Sequence, residues 1–316
     1  MSRAKQLLSL LRCPVSGVPL QFDGGPVDRY WSEDSAGNRI DYPTVSGQPV
    51  LIDFGKSIAT REAVLASGGA SLVENRRAGR SVAKRVVFGS NPVELGNAQR
   101  LAALLKQDAG ERRPVVLVVG GGSLSGGVRY LRDNSDFQIV CFDIYASDQT
   151  DFVADAHAIP LKDGVVDGVW VQAVLEHVLT PATVVEEIAR VLRPGGLVYA
   201  ETPFLQPVHE KAYDFTRFTE SGHRWLFRQF EEIDSGVVNG PGTTLFLHLR
   251  YFAGAVLRNR RLGNLAALPF FWLRYFDRII PRAHASDMAS GVYFLGRKSE
   301  RAVEPAGMPA FFRGVR

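Results

Sequence analysis

Val115-Val-Leu-Val-Val-Gly120-Gly121-Gly122-Ser-Leu-Ser-Gly126-Gly127 is the stretch that decides how this chain folds. Five consecutive aliphatic residues suit a strand buried on both faces of a sheet. Three glycines end it, and Leu124–Arg132 resumes with helical spacing. Strand, glycine turn and helix open an α/β unit, and the turn lets backbone approach a ligand where a Cβ would clash. By itself the turn is a weak signal, because dinucleotide-binding folds use a similar one.

Outward from it, strand and helix signals alternate. Gln138–Phe142 reads as a second strand ending at Asp143, 21 positions after Gly122. A carboxylate there can accept hydrogen bonds from both hydroxyls of a ribose. Asp167–Gln172 is another strand. Thr180-Pro181 starts a helix with a hydroxyl cap and proline in its first turn. It runs through Ile188 and Val191 and stops at Arg193-Pro-Gly-Gly196, before a strand at Leu197–Glu201. Gly291–Arg297 reads as a final, antiparallel strand. The expectation is an α/β fold, a doubly wound and mostly parallel sheet of seven strands, Rossmann-like, with a small β-rich ribbon before it.

The run from Phe152 through Asp155-Ala156-His157, Pro160, Asp167 and Gln172 to Glu176-His177-Val resembles class I S-adenosyl-L-methionine (AdoMet)-dependent methyltransferases. It is especially similar to the small-molecule (type 11) group that includes the quinone-biosynthesis enzymes, and Arg193-Pro-Gly-Gly196-Leu matches the turn before that family's fifth strand. The resemblance covers roughly residues 114–235. It implies a methyl-transferring enzyme with AdoMet as cofactor. Gly120, Gly121 and Gly122 would then form the glycine turn and Asp143 would hold the ribose. Asp155 would meet the adenine amino group, the Ala156 amide the ring, and Gln172 the methionine part. One position departs from the pattern: where the family commonly carries an acid, two residues before the first glycine, this chain has Val118.

The acceptor side is read from Glu201 to Thr219, polar and aromatic sequence at the carboxyl end of a strand, where open α/β sheets bind ligands. His209 and Asp214 are candidates for taking a proton from an acceptor hydroxyl. Tyr213 and His177 would line the site, and Arg217 would hold an anionic group. Two plainer readings stand beside these: Asp214 and Arg217 as a loop-stabilising ion pair, and His177 as a histidine satisfied at a helix start. A similar His…Asp…Arg-Phe-Thr phrase recurs in methyltransferases associated with polysaccharide biosynthesis, so the resemblance implies a small-molecule, lipid-linked or glycan hydroxyl acceptor. The alternatives are an RNA methyltransferase, which the ribbon and basic tail suggest, and a non-catalytic AdoMet- or partner-binding protein.

The expected layout is a ribbon over 1–55, a linker and lead-in helix over 56–113, and the main domain over 114–300. A helical insertion falls at about 241–288 and a tail at 301–316. The ribbon is similar to the small zinc-ribbon-like proteins that accompany tRNA and rRNA methyltransferases, but Cys13 is its one thiolate. Four soft ligands close a structural zinc site, so no metal is expected there or elsewhere. With two cysteines, Cys13 and Cys141, no disulfide framework is possible, and Cys141 reads as core. No signal-peptide pattern or membrane-spanning run appears. A cytoplasmic setting is expected, soluble or peripheral to a membrane. Residues 241–316 hold eleven Arg and one Lys against two Asp and two Glu, while the rest of the chain carries a net −4. That basic, aromatic tail is read either as a lid over the substrate or as a surface lying in a membrane interface. A net charge of +4 does not by itself call for nucleic acid.

Overall fold

A computed structural model describes residues 3–25, 28–66 and 91–315. Part of the expected linker, residues 67–90, lies outside the described residues.

The strands are β1 (Gln21–Asp23), β2 (Arg29–Glu33), β3 (Arg39–Tyr42), β4 (Thr44–Val45), β5 (Gln48–Leu51), β6 (Val115–Val119), β7 (Gln138–Asp143), β8 (Phe152–Ala154), β9 (Val166–Gln172), β10 (Leu192–Pro203), β11 (Phe230–Asn239) and β12 (Gly291–Lys298). The helices are α1 (Arg3–Gln6), α2 (Arg61–Ala66), α3 (Glu94–Ala109), α4 (Gly126–Asp133), α5 (Pro181–Val191), α6 (Glu220–Leu226), α7 (Pro241–Val256), α8 (Arg260–Ala267) and α9 (Arg282–Ser286).

Nine strands form the main sheet, in the order β11-β12-β10-β9-β6-β7-β8-β5-β4. From β10 to β5 the neighbours run parallel, while β12 is antiparallel to both β10 and β11. From β6 the chain first builds outward through β7 and β8. It then returns to lay β9 and β10 on the other side of β6. The order therefore reverses between β6 and β9, and the carboxyl ends of those two strands splay apart into a crevice. Gly120 follows β6 and Gln172 ends β9, so the topology alone brings them together.

Both faces of the sheet are covered, which is why its strands read as continuous apolar runs. Leu117, Val119, Val140, Phe142 and Val171 pack on one side with Val184, Val185 and Ile188 of α5. Val116, Val118, Cys141 and Trp170 pack on the other with Leu101 and Leu105 of α3 and Val128 and Leu131 of α4. Cys141 is core, as its apolar setting suggests. Val118 is buried in this second layer beside Trp170, which stacks on Tyr199 at 4.1 Å between centroids.

The sheet has nine strands rather than seven because the N-terminal segment does not stand apart. β1–β3 make a separate antiparallel sheet, but β5 pairs with β8, Val50 opposite Val153 and Leu51 opposite Ala154. Leu11, Cys13, Tyr30 and Tyr42 share one core with Phe142 and Phe152. Without β5 the short, wholly buried β8 would end the sheet as an unpaired edge, a costly arrangement for an apolar strand. Cys13 lies within 2.8 Å of the Tyr42 hydroxyl, inside that core.

At the far end, α7, α8 and the 3-10 segment Leu268–Arg278 pack on one another. The Asp277 carboxylate accepts from the Gly242 amide at 2.7 Å and the Thr243 hydroxyl at 2.6 Å, tying the segment to the start of α7. Phe252, Leu265 and Ile279 remain 61–73% exposed on this layer. Among the described residues no helix is long and apolar enough to cross a membrane.

Candidate active site

Two cavities open at the crevice, of about 280 and 270 Å³. They share Gly120, Gln172, Ala173 and His209, so they meet at the β6 and β9 ends.

The larger cavity is walled by backbone and strand ends. Gly120 has φ +72°, and a Cβ on it would stand 2.3 Å from Val174 Cγ2, so only glycine both adopts the turn and leaves the passage. Asp143 ends β7 with both oxygens engaged: Oδ2 accepts from the Gly122 amide at 2.8 Å and Oδ1 from the Ile144 amide at 2.7 Å. Burial pushes its carboxyl up to about 6, against those two amides, which favour the ionised form. Asp155 caps the 3-10 turn Ala156–Ala158. It accepts from the His157 amide and ring at 2.9 and 2.7 Å, and from the Ser57 hydroxyl at 2.5 Å. Burial opposes the charge on Asp155, but these donors outweigh it and hold the carboxyl below its ordinary value. His157 Nε2 in turn accepts from the Thr180 amide at 3.2 Å, which places its proton on Nδ1.

This cavity fits an adenosyl nucleoside. It combines a glycine floor, a strand-end carboxylate and apolar walls at Ile144, Ala156 and Val178. Asp143 would hold the ribose there, and Asp155 and Ala156 lie beside it. Ile58 and Ala59 complete the wall from the N-terminal segment, a contribution that nothing in the sequence pattern signals.

The smaller cavity is built from side chains. Glu201 on β10 accepts from Gln172 Nε2 at 2.8 Å, from Asn91 Nδ2 at 2.7 and 2.9 Å, and from the Tyr199 hydroxyl. Burial pushes the Glu201 carboxyl up, while those donors pull it down. Neither Glu201 nor Asn91 stood out in the sequence. The one available clue was an acid at the carboxyl end of the fifth expected strand. Nor did Glu94, whose carboxylate receives the Gly127 amide at 2.7 Å and so steadies the start of α4.

Two loops meet at the mouth. After β9 the chain turns through Ala173, at φ +54°, and presents Glu176 and His177. After β10 it returns through His209–Arg217, pinned to the first loop where the Phe215 and Thr216 amides donate to the Glu176 carbonyl at 2.8 and 3.3 Å. His177 Nδ1 lies 2.6 Å from the Tyr213 carbonyl, and burial lowers its imidazole pKa. His209 Nδ1 lies 3.3 Å from Asp214 Oδ2. Asp214 also receives the His209 amide and both terminal nitrogens of Arg217. Burial works against its charge, yet Arg217 and that amide hold the carboxyl well below the usual carboxylate range. Arg217 further donates to the Gln206, Pro207 and Thr216 carbonyls.

Asp214 and Arg217 thus form the ion pair of the plainer reading, and it fixes the loop. So acidic a carboxyl suits the orientation of His209 better than proton removal. Arg217 spends its donors inside the loop. Tyr213 and His177 line the larger cavity, and His209 lines both. Among the described residues, none of 241–288 lines either cavity, and the insertion meets the loop after β10 where the Tyr251 hydroxyl donates to the Val208 carbonyl at 3.3 Å.

Residues 119–200 match the sequence family described as a methyltransferase domain, from the end of β6 to the middle of β10. Those residues are part of a methyltransferase domain. An AdoMet cofactor accords with that match, and the glycine turn and the Asp143 cavity offer it a place. Over 163 residues the chain is 43% identical to an uncharacterized 37.1 kDa protein in transposon TN4556 of Streptomyces fradiae, half of this chain but 39% of that protein. The chain thus spans about two-fifths of the length of that curated relative.

Among solved structures it is similar to 1,6-didemethyltoxoflavin-N1-methyltransferase of Burkholderia thailandensis, crystallised with S-adenosylhomocysteine. That match has 15% identity, a TM-score of 0.40, and covers 89% of this chain and 99% of that one. It is similar as well to phosphoethanolamine N-methyltransferase 2 of Haemonchus contortus, with 18% identity, a TM-score of 0.36, and 69% and 57% covered.

Proposed function

We propose that the protein transfers the methyl group of AdoMet to a hydroxyl of a small-molecule, lipid-linked or glycan acceptor seated in the smaller cavity. The observation that carries this reading is the junction of the two cavities at Gly120, Gln172 and His209, with a glycine-floored chamber reaching Asp143 on one side and Glu176, Glu201 and His209 lining the other.

AdoMet, when bound, supplies a methyl already activated by its sulfonium, so the protein need only align an acceptor and manage its proton. Gly120 and Asp143 would hold the nucleoside part, and Gln172 lies at the junction. With an apolar Val118 at the family's acid position, Glu201, one of the two acids lining the smaller cavity, is placed to meet the methionine ammonium. A hydroxyl acceptor must lose a proton, and the cluster of Glu176, His177 and His209 stands at the mouth to take it. Asp214, held by Arg217, accepts from the His209 amide and lies 3.3 Å from its Nδ1, while Nε2 lies 3.8 Å from Glu176 Oε1. The exposed apolar side chains of the 241–288 layer, interleaved with arginines, suit peripheral contact with a membrane or a lipid-linked acceptor.

The test is a turnover screen with labelled AdoMet against phenols, glycans, lipid-linked sugars and RNA. Methylation of a hydroxyl compound, lost in His209→Ala, is the expected result. Label passing to RNA alone, or to an amine alone, would replace this reading.

A further inference from the structure

We infer that Glu176, His177 and His209 form a binding site for one divalent transition-metal ion, of which zinc is the natural probe. Their ligand atoms all lie within 4.8 Å of one another. His177 Nε2 stands 3.6 Å and His209 Nε2 3.8 Å from Glu176 Oε1. Around tetrahedral zinc with bonds of about 2.0–2.1 Å, ligands sit roughly 3.3 Å apart. The two histidine–carboxylate distances need to close by about 0.3 and 0.5 Å, and the two imidazole nitrogens, within 4.8 Å, by at most about 1.5 Å.

The outer nitrogen of His177 supports the case independently. A ring nitrogen facing a carbonyl must donate, so the contact to Tyr213 fixes the His177 proton on Nδ1 and leaves the Nε2 lone pair toward Glu176. His209 turns its Nε2 toward Glu176 as well, with Nδ1 3.3 Å from Asp214 Oδ2 though not hydrogen-bonded to it. Metal-binding histidines are characteristically oriented through the second nitrogen by a carbonyl or carboxylate, and His177 is so held by the Tyr213 carbonyl. The rings meet edge to face at 5.1 Å between centroids, converging rather than stacking. Two imidazoles and one carboxylate, leaving one position open toward solvent or substrate, form a donor set that suits zinc and its first-row neighbours.

The absence of metal expected from the sequence rested on the ribbon's single thiolate, and this cluster lies elsewhere, at the junction of the cavities. The role of the ion rests on the proposed hydroxyl transfer; its binding does not. An acceptor hydroxyl on the open position would give up its proton to water more readily, and its oxygen would then attack the methyl as the sulfonium–carbon bond breaks. No oxidant or reductant is involved.

The experiment is equilibrium dialysis of chelator-stripped, full-length protein against zinc, repeated with cobalt for its visible spectrum. One equivalent per chain is expected. His177→Gln and His209→Gln should each weaken binding by more than about 100-fold, and Asp214→Asn by about 10–100-fold. Circular dichroism and retained S-adenosylhomocysteine binding verify that each variant is folded; Glu176→Gln serves if either histidine variant is not. No stoichiometric zinc in the wild type would overturn the inference. So would zinc that survives both histidine variants, or that vanishes in Cys13→Ser. A protein that binds zinc at this site yet methylates no hydroxyl would count against the proposed function alone.

Discussion

The two cavities that meet at Gly120 are made in different ways. The larger is made by topology: a glycine turn after β6, a carboxylate ending β7, and the turn after β8. Its polar contacts run largely through backbone amides, as at Asp143. The smaller is made by side chains from distant segments, with Asn91, Gln172 and Tyr199 converging on Glu201, and Glu176 meeting His209 across two loops. A binding site of the first kind follows once the fold forms. The second kind depends on each side chain being held by its neighbours, and it is the side of the site where one acceptor can be exchanged for another without disturbing the sheet.

If this division is right, damage should separate cleanly. The largest effect is expected on the acceptor side. His209→Ala should lower turnover by about 10²–10⁴-fold, the range for loss of proton management, while AdoMet affinity stays near wild type. Steady-state rates beside a binding isotherm would show this. Wild-type turnover would make the loop mere scaffolding.

Asp143→Ala should act oppositely, weakening AdoMet by about 1.5–3 kcal/mol, as for a hydrogen bond to a charged group. Acid should reproduce part of that loss. Burial pushes the Asp143 carboxyl up to about 6, and the hydroxyls of a bound ribose would donate to its ionised form. Affinity should therefore rise as pH climbs through about 6. Stability has the reverse sign: between the unfolded value of about 3.9 and 6 only the folded state keeps the proton, so this group's contribution falls as pH rises across that window. Cofactor titrations at pH 5 and 7, with Asp143→Asn as the flat control, check both signs. The smallest effect is expected from Ser57→Ala. It should cost about 1 kcal/mol in thermal unfolding through loss of the Asp155 hydrogen bond, and would show that the N-terminal segment supports the cofactor wall.

The same division governed what could be read from sequence. The β6–glycine–α4 unit, the strand ending in Asp143 and the stop at Arg193-Pro-Gly-Gly196 follow from local rules, namely aliphatic runs, positive φ at glycine and helix caps, and they fixed the parallel sheet and its crevice. The joining of β5 to β8 was not legible, because four residues, Gln-Pro-Val-Leu, carry no mark of the strand they will meet about a hundred positions later. Glu201 was quoted only as a strand end, since what makes it a site is the approach of Asn91 from a segment 110 residues earlier. Asp214 and Arg217 were visible as a pair, but sequence spacing alone could not choose between ligand binding and loop fixing. In the structure Arg217 donates to the Gln206 and Pro207 carbonyls, which favours the loop-fixing reading.

The account is tested most directly by calorimetric titration of AdoMet into wild type, Asp143→Ala and His209→Ala at pH 7.5. It predicts one site per chain in the wild type, a roughly 10- to 150-fold weaker one in Asp143→Ala, and an unchanged one in His209→Ala. No binding to the wild type, or equal weakening in both variants, would contradict it.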